Sequence, residues 1–555
     1  MVSGETSSLL DVRDLRVGFG SSAQPHAVDG LSFSVAANQV VALVGESGCG
    51  KSTTALAIMG LLPNKARISG EMVFEDQDIV GSSARAWRML RGKRIGMIFQ
   101  EPMSSLNPVH RIGDQIVEVL RCHGNISGAA ARRRAIELLD LVKIPDPHIR
   151  VDDYPHRLSG GQRQRVMIAM AIACEPSLLI ADEPTTALDA TIQAQILELI
   201  DRLRRDLSMS VLLISHDLPL VARWADRVVV MHHGQKMEEL AADRLFADAT
   251  HPYSRGLIGA AIRLGDTFHY RKTRLAEVHV RREAGGEYRF ELSRPERKAA
   301  SPPPRDGEPL LEVRDLSVRY DRSPVLEDVS FSLGCGETIG IVGESGSGKS
   351  TLAKAVTRLV STSKGRILFD GADITRMAGG ALRQVRRHVQ MIFQDPFNSL
   401  NPRQSVGDIL QTGLIMQGMK DGAERARLVA GMLDQVGLPR SATGRFPHEF
   451  SGGQKQRIGI ARALILKPRL VVCDEPVSAL DVSVQAQILN LLMDLKEELG
   501  LSYLFISHDL AVVQYVSDRV IVMKAGRIVE ENDHQTIWKH PREDYTRSLI
   551  ASVQS

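Results

Sequence analysis

Two stretches of this chain carry glycines, a lysine and a serine at a spacing that binds phosphate. GESGCGKS runs from Gly45 to Ser52, and GESGSGKS runs from Gly343 to Ser350. Both fit the pattern G-x-x-x-x-G-K-[ST], in which the lysine reaches the β- and γ-phosphates and the hydroxyl binds magnesium. Glycines allow backbone N–H groups to close around phosphate oxygens, and the helix that follows favours an anion at its N-terminus. The sequence therefore predicts two nucleotide-binding loops.

All residues of both loops, with the threonine that follows each, are predicted to contact nucleotide. They are Gly45, Glu46, Ser47, Gly48, Cys49, Gly50, Lys51, Ser52 and Thr53 in the first copy, and Gly343, Glu344, Ser345, Gly346, Ser347, Gly348, Lys349, Ser350 and Thr351 in the second.

An Asp-Glu pair follows an apolar stretch in each copy. Asp182 and Asp474 end these predicted strands, and Glu183 and Glu475 come next. A carboxylate at the end of a buried strand needs a reason to be ionised, and magnesium supplies one. Adjacent residues at a strand end point to different sides, so we expect the aspartates to bind the metal. The glutamates are predicted to orient and deprotonate the attacking water.

A histidine and a glutamine recur at the ends of two further apolar stretches. His216 and His508 lie within Ser-His-Asp, and we predict that they sense the γ-phosphate, although either alone would suggest an ordinary core histidine. Gln100 and Gln394 are placed to reach the magnesium or the water. The predicted catalytic residues are Glu183, His216, Glu475, His508, Gln100 and Gln394. The predicted metal ligands are Ser52, Gln100, Asp182, Ser350, Gln394 and Asp474.

The sequence SGGQ precedes a long helical pattern in each copy and suggests a second anion site. Its residues are Ser159, Gly160, Gly161 and Gln162, and Ser451, Gly452, Gly453 and Gln454. A serine and two glycines at a helix start favour anion binding. Each copy thus has two phosphate-binding features but needs one nucleotide. We therefore predict a head-to-tail pair, in which the loop of one copy and the SGGQ of the other enclose one ATP.

The repeat and the composition limit the possible architectures. The loops start 343 − 45 = 298 residues apart and the histidines are 508 − 216 = 292 apart, so a whole domain is duplicated. Lys and Arg number 69 against 66 Asp and Glu, a net charge of +3 that argues against a dedicated nucleic-acid binder.

No apolar run approaches the roughly 18 residues of a membrane span. The N-terminal residues do not resemble a secretory signal, so we expect a cytoplasmic protein. Five scattered cysteines without a C-x-x-C pair predict reduced thiols.

The pattern along the chain predicts domains over residues 1–264 and 310–555, joined by a link over 265–309. A helical subdomain is expected between Gln100 and Ser159 and between Gln394 and Ser451. Each domain should close with a hairpin, turning at Gly234 and at Gly526. Within the link, alternating residues on either side of 285–286 predict a small Gly-Gly hairpin, the alternative being a disordered charged linker.

These motifs together resemble the ATP-binding cassette (ABC) ATPases over nearly all of the chain except the link. The resemblance implies an α/β fold with two tandem P-loop domains. Each would have a RecA-like mixed-sheet core, an antiparallel β subdomain and an α-helical subdomain, and would use ATP and Mg2+. It also implies ALD turns at 187–189 and 479–481. Phe19 and Tyr320 would stack on adenine. The family usually has tyrosine there, so His26 is an alternative near the first base.

A narrower resemblance is to the oligopeptide/dipeptide/nickel importer branch. FQEPMSSLNP (99–108) and FQDPFNSLNP (393–402) are similar to that branch, as are HPYSRGLI (251–258) and HPREDYTRSLI (540–550). This chain is similar to a fusion of the branch's two ATPase subunits. No cysteine lies between Cys174 and Cys335, so we assign no metal cluster to the link.

The resemblance implies an ATPase that energises peptide import from the cytoplasmic face of the inner membrane. Its partners would be two transmembrane permeases, which make its only membrane contact, and an extracytoplasmic binding protein. We expect no nucleic-acid partner. Other cargoes, namely nickel, glutathione, an opine or a sugar, remain alternatives. A soluble twin-cassette factor acting on ribosomes or nucleic acid is a further alternative. It would need a long basic helical connector, whereas the link of this chain is interrupted by proline and glycine. A DNA-repair cassette protein would need zinc-binding cysteines, and this sequence has no C-x-x-C pair.

Overall fold

In a computed structural model, which describes most of the chain, the chain forms two compact units. The described residues are 8–20, 26–100, 105–185, 190–265, 268–282, 288–293, 307–320, 323–395, 399–478 and 480–554. Unit 1 comprises Met1–Leu188, Ile192–Ala261 and Val280–Leu292. Unit 2 comprises Asp189–Thr191, Ile262–His279 and Ser293–Ser555. The link is therefore shared, since its first part packs within unit 2 and a later part packs within unit 1.

Unit 1 contains a four-stranded antiparallel sheet and a six-stranded mixed sheet. Its strands are β1 (Ser8–Gly18), β2 (Val28–Ala36), β3 (Val40–Val44), β4 (Arg67–Phe74), β5 (Gln77–Asp78), β6 (Ile95–Ile98), β7 (Leu178–Asp182), β8 (Ser210–Ile214), β9 (Arg227–His232) and β10 (Gln235–Ala241). The order is β2-β1-β4-β5 in the first sheet and β10-β9-β3-β8-β7-β6 in the second. All neighbours in the second sheet run parallel except β9 and β10. The carboxyl ends of β3, β6, β7 and β8 therefore meet at one edge.

The strands of unit 2 follow the same plan as those of unit 1, and the link adds a separate pair of strands. They are β11 (Glu277–Arg282), β12 (Tyr288–Ser293), β13 (Leu311–Tyr320), β14 (Ser323–Leu333), β15 (Thr338–Val342), β16 (Lys364–Phe369), β17 (Ala372–Asp373), β18 (Val389–Ile392), β19 (Leu470–Asp474), β20 (Ser502–Ile506), β21 (Arg519–Lys524) and β22 (Arg527–Asp533). The two sheets of unit 2 have the orders β14-β13-β16-β17 and β18-β19-β20-β15-β21-β22, and β11 pairs with β12. The duplication predicted from sequence is thus a duplication of fold.

Helices surround these sheets in both units. Those of unit 1 are α1 (Lys51–Ile58), α2 (Ala84–Leu90), α3 (Ile112–His123), α4 (Gly128–Leu141), α5 (Pro147–Arg150), α6 (Gly160–Ile172), α7 (Ala190–Asp206), α8 (Leu218–Trp224), α9 (Leu245–Asp248) and α10 (Pro252–Ala260). Those of unit 2 are α11 (Lys349–Val356), α12 (Gly379–His388), α13 (Val406–Met416), α14 (Gly422–Gln435), α15 (Gly452–Leu464), α16 (Val482–Leu499), α17 (Leu510–Val516), α18 (Thr536–Lys539) and α19 (Asp544–Gln554). The helical segments predicted after Gln100 and Gln394 are confirmed.

The central strands explain the continuous apolar runs in the sequence. Every residue of β3, β7, β8, β15, β19 and β20 is buried. Because parallel strands are covered on both faces, apolar side chains are favoured at each position rather than at alternate ones. Asp182 and Asp474, the last residues of β7 and β19, are the polar exceptions that reach the carboxyl edge.

The predicted hairpins are confirmed where the structure describes them. The β9–β10 turn has His233 at φ +43° and Gly234 at φ +83°, and the β21–β22 turn has Ala525 and Gly526 at +46° and +80°. Two consecutive positive φ angles are typical of the tight turns whose twist matches antiparallel strands. In the link, β11 and β12 pair as predicted, while the predicted turn at 285–286 lies outside the described residues.

No helix in the described ranges is both long and apolar enough to cross a membrane.

Candidate functional site

The phosphate loop of each unit is a tight turn that only glycine fits at its first position. Gly45 has φ +151°, and a Cβ there would lie 2.2 Å from the carbonyl oxygen of Met231. Gly343 has φ +149°, with its Cβ position 2.2 Å from the carbonyl oxygen of Met523. Strand β9 or β21 therefore passes directly against the loop, and a side chain at this glycine would displace backbone rather than a flexible group.

The loop lysines lie folded into the loops that precede them. Lys51 Nζ donates to the carbonyl oxygens of Gly45 at 2.7 Å and Glu46 at 2.9 Å. Lys349 Nζ makes the same bonds to Gly343 at 2.7 Å and Glu344 at 2.8 Å. Both side chains are buried, and a buried ammonium is costly unless its hydrogen bonds are satisfied. The cation is thus held in place within the turn where the sequence predicts phosphate.

A serine and an aspartate meet beside each loop. Ser52 Oγ donates to Asp182 Oδ1 at 3.1 Å, and Ser350 Oγ donates to Asp474 Oδ1 at 2.9 Å. Burial raises the pKa of Asp182 to about 6, against the lowering effect of the Ser52 hydrogen bond. Burial also raises the pKa of Asp474. A buried carboxylate that protonates this readily, beside a hydroxyl, fits a magnesium site because the cation would keep it ionised.

The described residues contain no group of three or more His, Cys, Asp or Glu side chains able to hold a metal. The serine and aspartate oxygens beside each loop fit magnesium, which is commonly bound by one or two protein oxygens together with substrate phosphates and water.

The glutamates turn away from the aspartates, as the sequence predicted for neighbouring residues at a strand end. Glu183 has φ +47° and Glu475 has φ +48°, a left-handed conformation that is uncommon for glutamate. Their backbone N–H groups donate to the carbonyl oxygens of Ile214 at 3.0 Å and Ile506 at 2.9 Å. This anchoring maintains the unusual backbone angle, and such angles cluster at functional sites.

A glutamine and a histidine contact each glutamate. Gln100 Nε2 donates to Glu183 Oε2 at 2.8 Å, and His216 Nδ1 lies 3.3 Å from Glu183 Oε1. In unit 2, Gln394 Nε2 donates to Glu475 Oε2 at 2.8 Å, and His508 Nδ1 lies 3.1 Å from the same oxygen. The three predicted catalytic side chains of each copy are therefore brought together, although their strands are far apart in sequence.

The Glu475–His508 contact shifts both groups toward their charged forms. Burial by itself would raise the pKa of Glu475, but the hydrogen bond and charge of His508 outweigh it and lower the pKa. Burial would lower the pKa of His508, but the bond to Glu475 raises it overall. A carboxylate kept ionised at neutral pH can accept a proton from water.

SGGQ begins α6 and α15 with a reciprocal pair of hydrogen bonds. Gln162 N–H donates to Ser159 Oγ at 3.3 Å, and Ser159 N–H donates to Gln162 Oε1 at 3.1 Å. Ser451 and Gln454 repeat this capping box at 3.4 and 3.1 Å. The serines are exposed.

The second glycine of SGGQ has a packing role that the sequence did not reveal. A Cβ on Gly161 would lie 2.8 Å from Ile192 Cγ2, and one on Gly453 would lie 2.4 Å from Val484 Cγ1. In each unit this glycine lets the SGGQ helix approach the helix that follows the Asp-Glu strand.

The predicted adenine-stacking residues lie at the ends of β1 and β13. Phe19 and Tyr320 are exposed large rings, at 39% and 46%. His26 Cδ2 lies 3.1 Å from the Cβ position of Gly18, so this alternative residue lies beside the same strand end. Of the predicted ALD turns, 187–189 and Ala479 lie outside the described residues.

One tyrosine in each unit contacts the phosphate loop without having been predicted to do so. Tyr253 Oη accepts from the Glu46 N–H at 3.3 Å, and Tyr545 Oη accepts from the Glu344 N–H at 3.1 Å. Both lie in the repeated HPY elements at 251–258 and 540–550. That repetition close to the end of each copy was the available signal.

Comparison with protein families identifies the class. The family model described as ABC transporter matches residues 28–186 and 326–478, which together make up more than half of the chain. The model described as oligopeptide/dipeptide transporter, C-terminal region, matches 237–297. The chain belongs to the ABC transporter family as a twin-cassette ATP-binding subunit. The predicted importer-branch ATPase class and its α/β cassette fold are confirmed.

Two relatives are similar to nearly all of the chain. The chain is 46% identical to the glutathione import ATP-binding protein GsiA of Pectobacterium atrosepticum, over 98% of this chain and 89% of that protein. It is 45% identical to GsiA of Escherichia coli K12, over 99% and 90%. A solved structure of cbiO1 from Clostridium perfringens, part of the cbiONQ ABC transporter complex, shares 30% identity with a TM-score of 0.39. That alignment covers 42% of this chain and 92% of that chain.

Proposed function

We propose that each unit hydrolyses ATP with the residues assembled at the carboxyl edge of its main sheet. The observation that carries this proposal is the division of labour within each Asp-Glu pair. Asp182 faces the loop serine, whereas Glu183 faces Gln100 and His216. Unit 2 repeats the arrangement.

In this proposal the loop N–H groups and Lys51 or Lys349 bind the phosphates. Ser52 with Asp182, and Ser350 with Asp474, would hold magnesium, which supplies charge neutralisation on the phosphates. Gln100 and Gln394 donate from their amide nitrogens to the glutamates, which leaves their amide oxygens to face the metal or water. Glu183 and Glu475 orient the attacking water and accept its proton.

His216 and His508 would position those glutamates and contact the γ-phosphate. Each imidazole touches its glutamate through Nδ1. Nε2 is the remaining ring nitrogen, and it can donate to a phosphate oxygen when protonated. The histidine therefore links the state of the phosphate to the orientation of the base.

The assignment of the bases is tested with Glu183→Gln and Glu475→Gln in one full-length chain. Glutamine preserves the size of the side chain and loses the ability to accept a proton. We expect ATP to be bound but hydrolysed about 10²–10⁴-fold more slowly, so that nucleotide is retained after desalting. Hydrolysis at the parental rate would overturn the assignment.

We further propose that each ATP is enclosed by the loop of one copy and the SGGQ of the other. The support is that SGGQ presents an exposed helix start with a capping serine in both units. Such a start favours an anion. Phe19, with His26 as the alternative, and Tyr320 would then stack on the two adenines.

The exchange can be tested by disabling one loop at a time. With Lys349→Ala and the two glutamine substitutions, the remaining intact loop is that of unit 1. Ser451→Arg should then abolish ATP retention, whereas Ser159→Arg should leave it. The reverse dependence would show that each unit completes its own site, and the proposal of shared sites would be wrong.

For cargo, we propose a short peptide of the oligopeptide, dipeptide or glutathione type. The support is the match to the oligopeptide/dipeptide transporter C-terminal region together with the name of the GsiA relatives. Glutathione is itself a tripeptide, so it belongs to this chemical class. Permeases that bind to the helical subdomains would carry the cargo, and a binding protein would deliver it at the inner membrane.

Uptake by cells that lack the chain, with and without complementation, tests the cargo. Labelled glutathione, a dipeptide, an oligopeptide and nickel are offered separately. We expect complementation to restore uptake of a peptide and not of nickel. Restoration of nickel uptake alone would contradict the peptide assignment without affecting the ATPase assignment.

A further inference from the structure

We propose that Tyr253 and Tyr545 are positioning residues for the two phosphate loops, and that the link acts on the first loop through Tyr253. This inference rests on the ATPase function proposed above. It assigns a role in nucleotide binding to the C-terminal HPY elements and to one strand of the link.

Each tyrosine fixes the second residue of its loop. The Glu46 N–H donates to Tyr253 Oη, while the Glu46 carbonyl accepts from Lys51 Nζ at 2.9 Å and from Cys49 N–H at 3.2 Å. Glu344 has the same set of partners, with Tyr545, Lys349 and Ser347. Both peptide groups at the entry to the loop are therefore held, one by a side chain from outside the loop and one from within it.

A carboxylate on the outer strand of each main sheet holds the tyrosine's helix in place. Glu238 Oε1, on β10, accepts from the N–H groups of Thr250 at 2.8 Å and His251 at 3.2 Å, just before α10. In unit 2, Glu530 on β22 accepts from two N–H groups just before α19, at 2.8 and 3.1 Å. A charge-assisted anchor of this kind is stronger than a neutral hydrogen bond, so the hydroxyl is presented from a rigid element.

The two tyrosines differ in what lies behind them. Tyr253 is fully buried, with its ring centroid 4.5 Å from that of His232 and 5.4 Å from that of Phe290. Phe290 belongs to β12 in the link. Tyr545 is only half-buried, and Lys524 Nζ lies 4.6 Å from its ring centroid. A strand of the link thus packs against the tyrosine that contacts loop 1, whereas the ring of the tyrosine beside loop 2 is contacted by a lysine at the end of β21.

The hydroxyl can act on the loop without occupying the place of the nucleotide. The Tyr253 hydroxyl accepts from the N–H of Glu46, the second residue of the loop, where the chain leaves β3. The rest of the loop, up to Lys51, follows this residue in the chain. We expect loss of the hydroxyl to loosen the loop and weaken phosphate binding. Recognition of the base should be unaffected, because the rings proposed to stack on it lie at the ends of β1 and β13.

The test uses full-length chains in which one loop is disabled. With Lys349→Ala, Tyr253→Phe should raise the Kd of MgATP about 2- to 10-fold, the range expected for one net hydrogen bond. The fold-change should be the same for MgGTP, since only phosphate contacts are altered. Tyr545→Phe is the matched control and should leave the Kd unchanged in this background. With Lys51→Ala the roles of the two variants should be exchanged.

The link is tested with Phe290→Ala, which keeps the Tyr253 hydroxyl and removes the ring behind it. We expect a smaller rise in the Kd, confined to the chain whose first loop is intact. Thermal unfolding midpoints are measured in parallel to separate loop positioning from general destabilisation.

Equal Kd values for Tyr253→Phe and the parent at the first loop would overturn the inference, as would the same shift at both loops. A rise that depends on the base would do so too. If the parental chain fails to bind MgATP, the proposed function fails instead, so the two failures are distinguishable.

Discussion

The two candidate nucleotide sites of this chain have nearly the same hydrogen bonds, whereas the segments that pack behind them differ. The serine–aspartate distances are 3.1 and 2.9 Å, and both glutamine–glutamate distances are 2.8 Å. Behind the sites, unit 1 receives an aromatic strand of the link, and unit 2 receives residues 268–279. The duplication therefore preserved the chemistry while each unit acquired its own support.

Unit 2 is built to receive its segment of the link. Asn490 Nδ2 donates to the Leu275 carbonyl at 3.0 Å and to Glu277 at 2.7 Å, and Asn490 Oδ1 accepts from the Leu275 N–H at 3.2 Å. Lys496 Nζ donates to the Tyr270 hydroxyl at 2.6 Å, and Tyr515 donates to the Thr273 carbonyl at 3.1 Å. A buried amide that satisfies a passing backbone in this way replaces a strand partner.

The equivalent positions of unit 1 carry different chemistry. Subtracting the offset of 292 places Glu198, Arg204 and Arg223 where unit 2 has Asn490, Lys496 and Tyr515. One position is shared, since Asp226 and Asp518 both accept a backbone N–H from the start of the strand that leads to the phosphate loop, at 2.7 and 2.8 Å. In unit 2 the common aspartate also serves the link, since Asp518 accepts from the Tyr270 hydroxyl at 3.1 Å and pairs with Arg271 at 2.6 Å.

The largest expected effect would break the equivalence of the two sites. Glu183→Gln alone and Glu475→Gln alone should each lower kcat, and the two losses should be similar because the bonding is the same. Together they should reach about 10²–10⁴-fold. Steady-state ATP hydrolysis is the measurement, with the exposed Glu198→Gln as the control. A large loss from one variant and none from the other would show that the sites are not equivalent.

The next effect concerns the support of unit 2. Asn490→Ala should lower the free energy of unfolding of that unit by about 2–4 kcal/mol, because it leaves both peptide groups of buried Leu275 without their partner. Glu198→Ala at the matching position of unit 1 should change it by less than about 0.5 kcal/mol. Calorimetry of the full chain measures both. Equal effects would contradict the assignment of 268–279 to the support of unit 2.

Acidification should destabilise the two units to a similar extent. Burial lowers the pKa of His232 in unit 1 and of His269 in unit 2 to about 4. The unfolded value is about 6.5, so the unfolded state binds more protons between these values and stability falls as the pH falls. Each histidine should cost about 2 kcal/mol near pH 4.5, and this contribution is fully regained above pH 6.5.

Replacing each histidine separately sharpens that comparison. His269→Gln retains a donor for the Ser517 carbonyl, which His269 Nε2 contacts at 3.0 Å, but does not titrate. It should flatten the pH dependence of the stability of unit 2 only, and His232→Gln should flatten the pH dependence of the stability of unit 1 only. Unfolding midpoints from pH 4.5 to pH 7.5 provide the measurement. An unchanged slope in both variants would exclude these histidines as the cause.

The smallest effect concerns the bases. Phe19→Ala and Tyr320→Ala each remove an exposed ring predicted to stack on adenine, a contact worth about 1 kcal/mol or somewhat more. We expect about a five- to tenfold rise in the Kd of ATP at the affected site, measured in chains with one loop disabled. If His26→Ala has the effect at the first site and Phe19→Ala has none, His26 is the residue beside that base.

Much of each site could be predicted from sequence because its residues follow recognisable strands. Asp182, Glu183 and His216 each lie at the carboxyl end of a buried apolar run, and parallel strands bring such ends to one edge. The Tyr253 contact could not be predicted in this way. It depends on where α10 packs relative to the loop, which no spacing within the HPY element encodes.

The link shows the same division. Alternating residues correctly predicted β11 and β12, because strand pairing leaves a period of two in the sequence. They gave no indication that residues before His279 would pack within unit 2 while Phe290 packs against Tyr253. Asp518, which accepts from Tyr270, lies more than 200 residues away from it, and Tyr253 lies about 40 residues from Phe290. Only the packed chain brings each pair together.

The sequence by itself determined that this chain carries two phosphate loops with their acidic, amide and imidazole partners, since that chemistry requires particular residue types in a fixed order along the strands. Only the tertiary structure decided what contacts hold the loops in place and how the link is shared between the units. Those outcomes depend on backbone angles and side-chain packing between distant segments, and local patterns in a sequence do not record them.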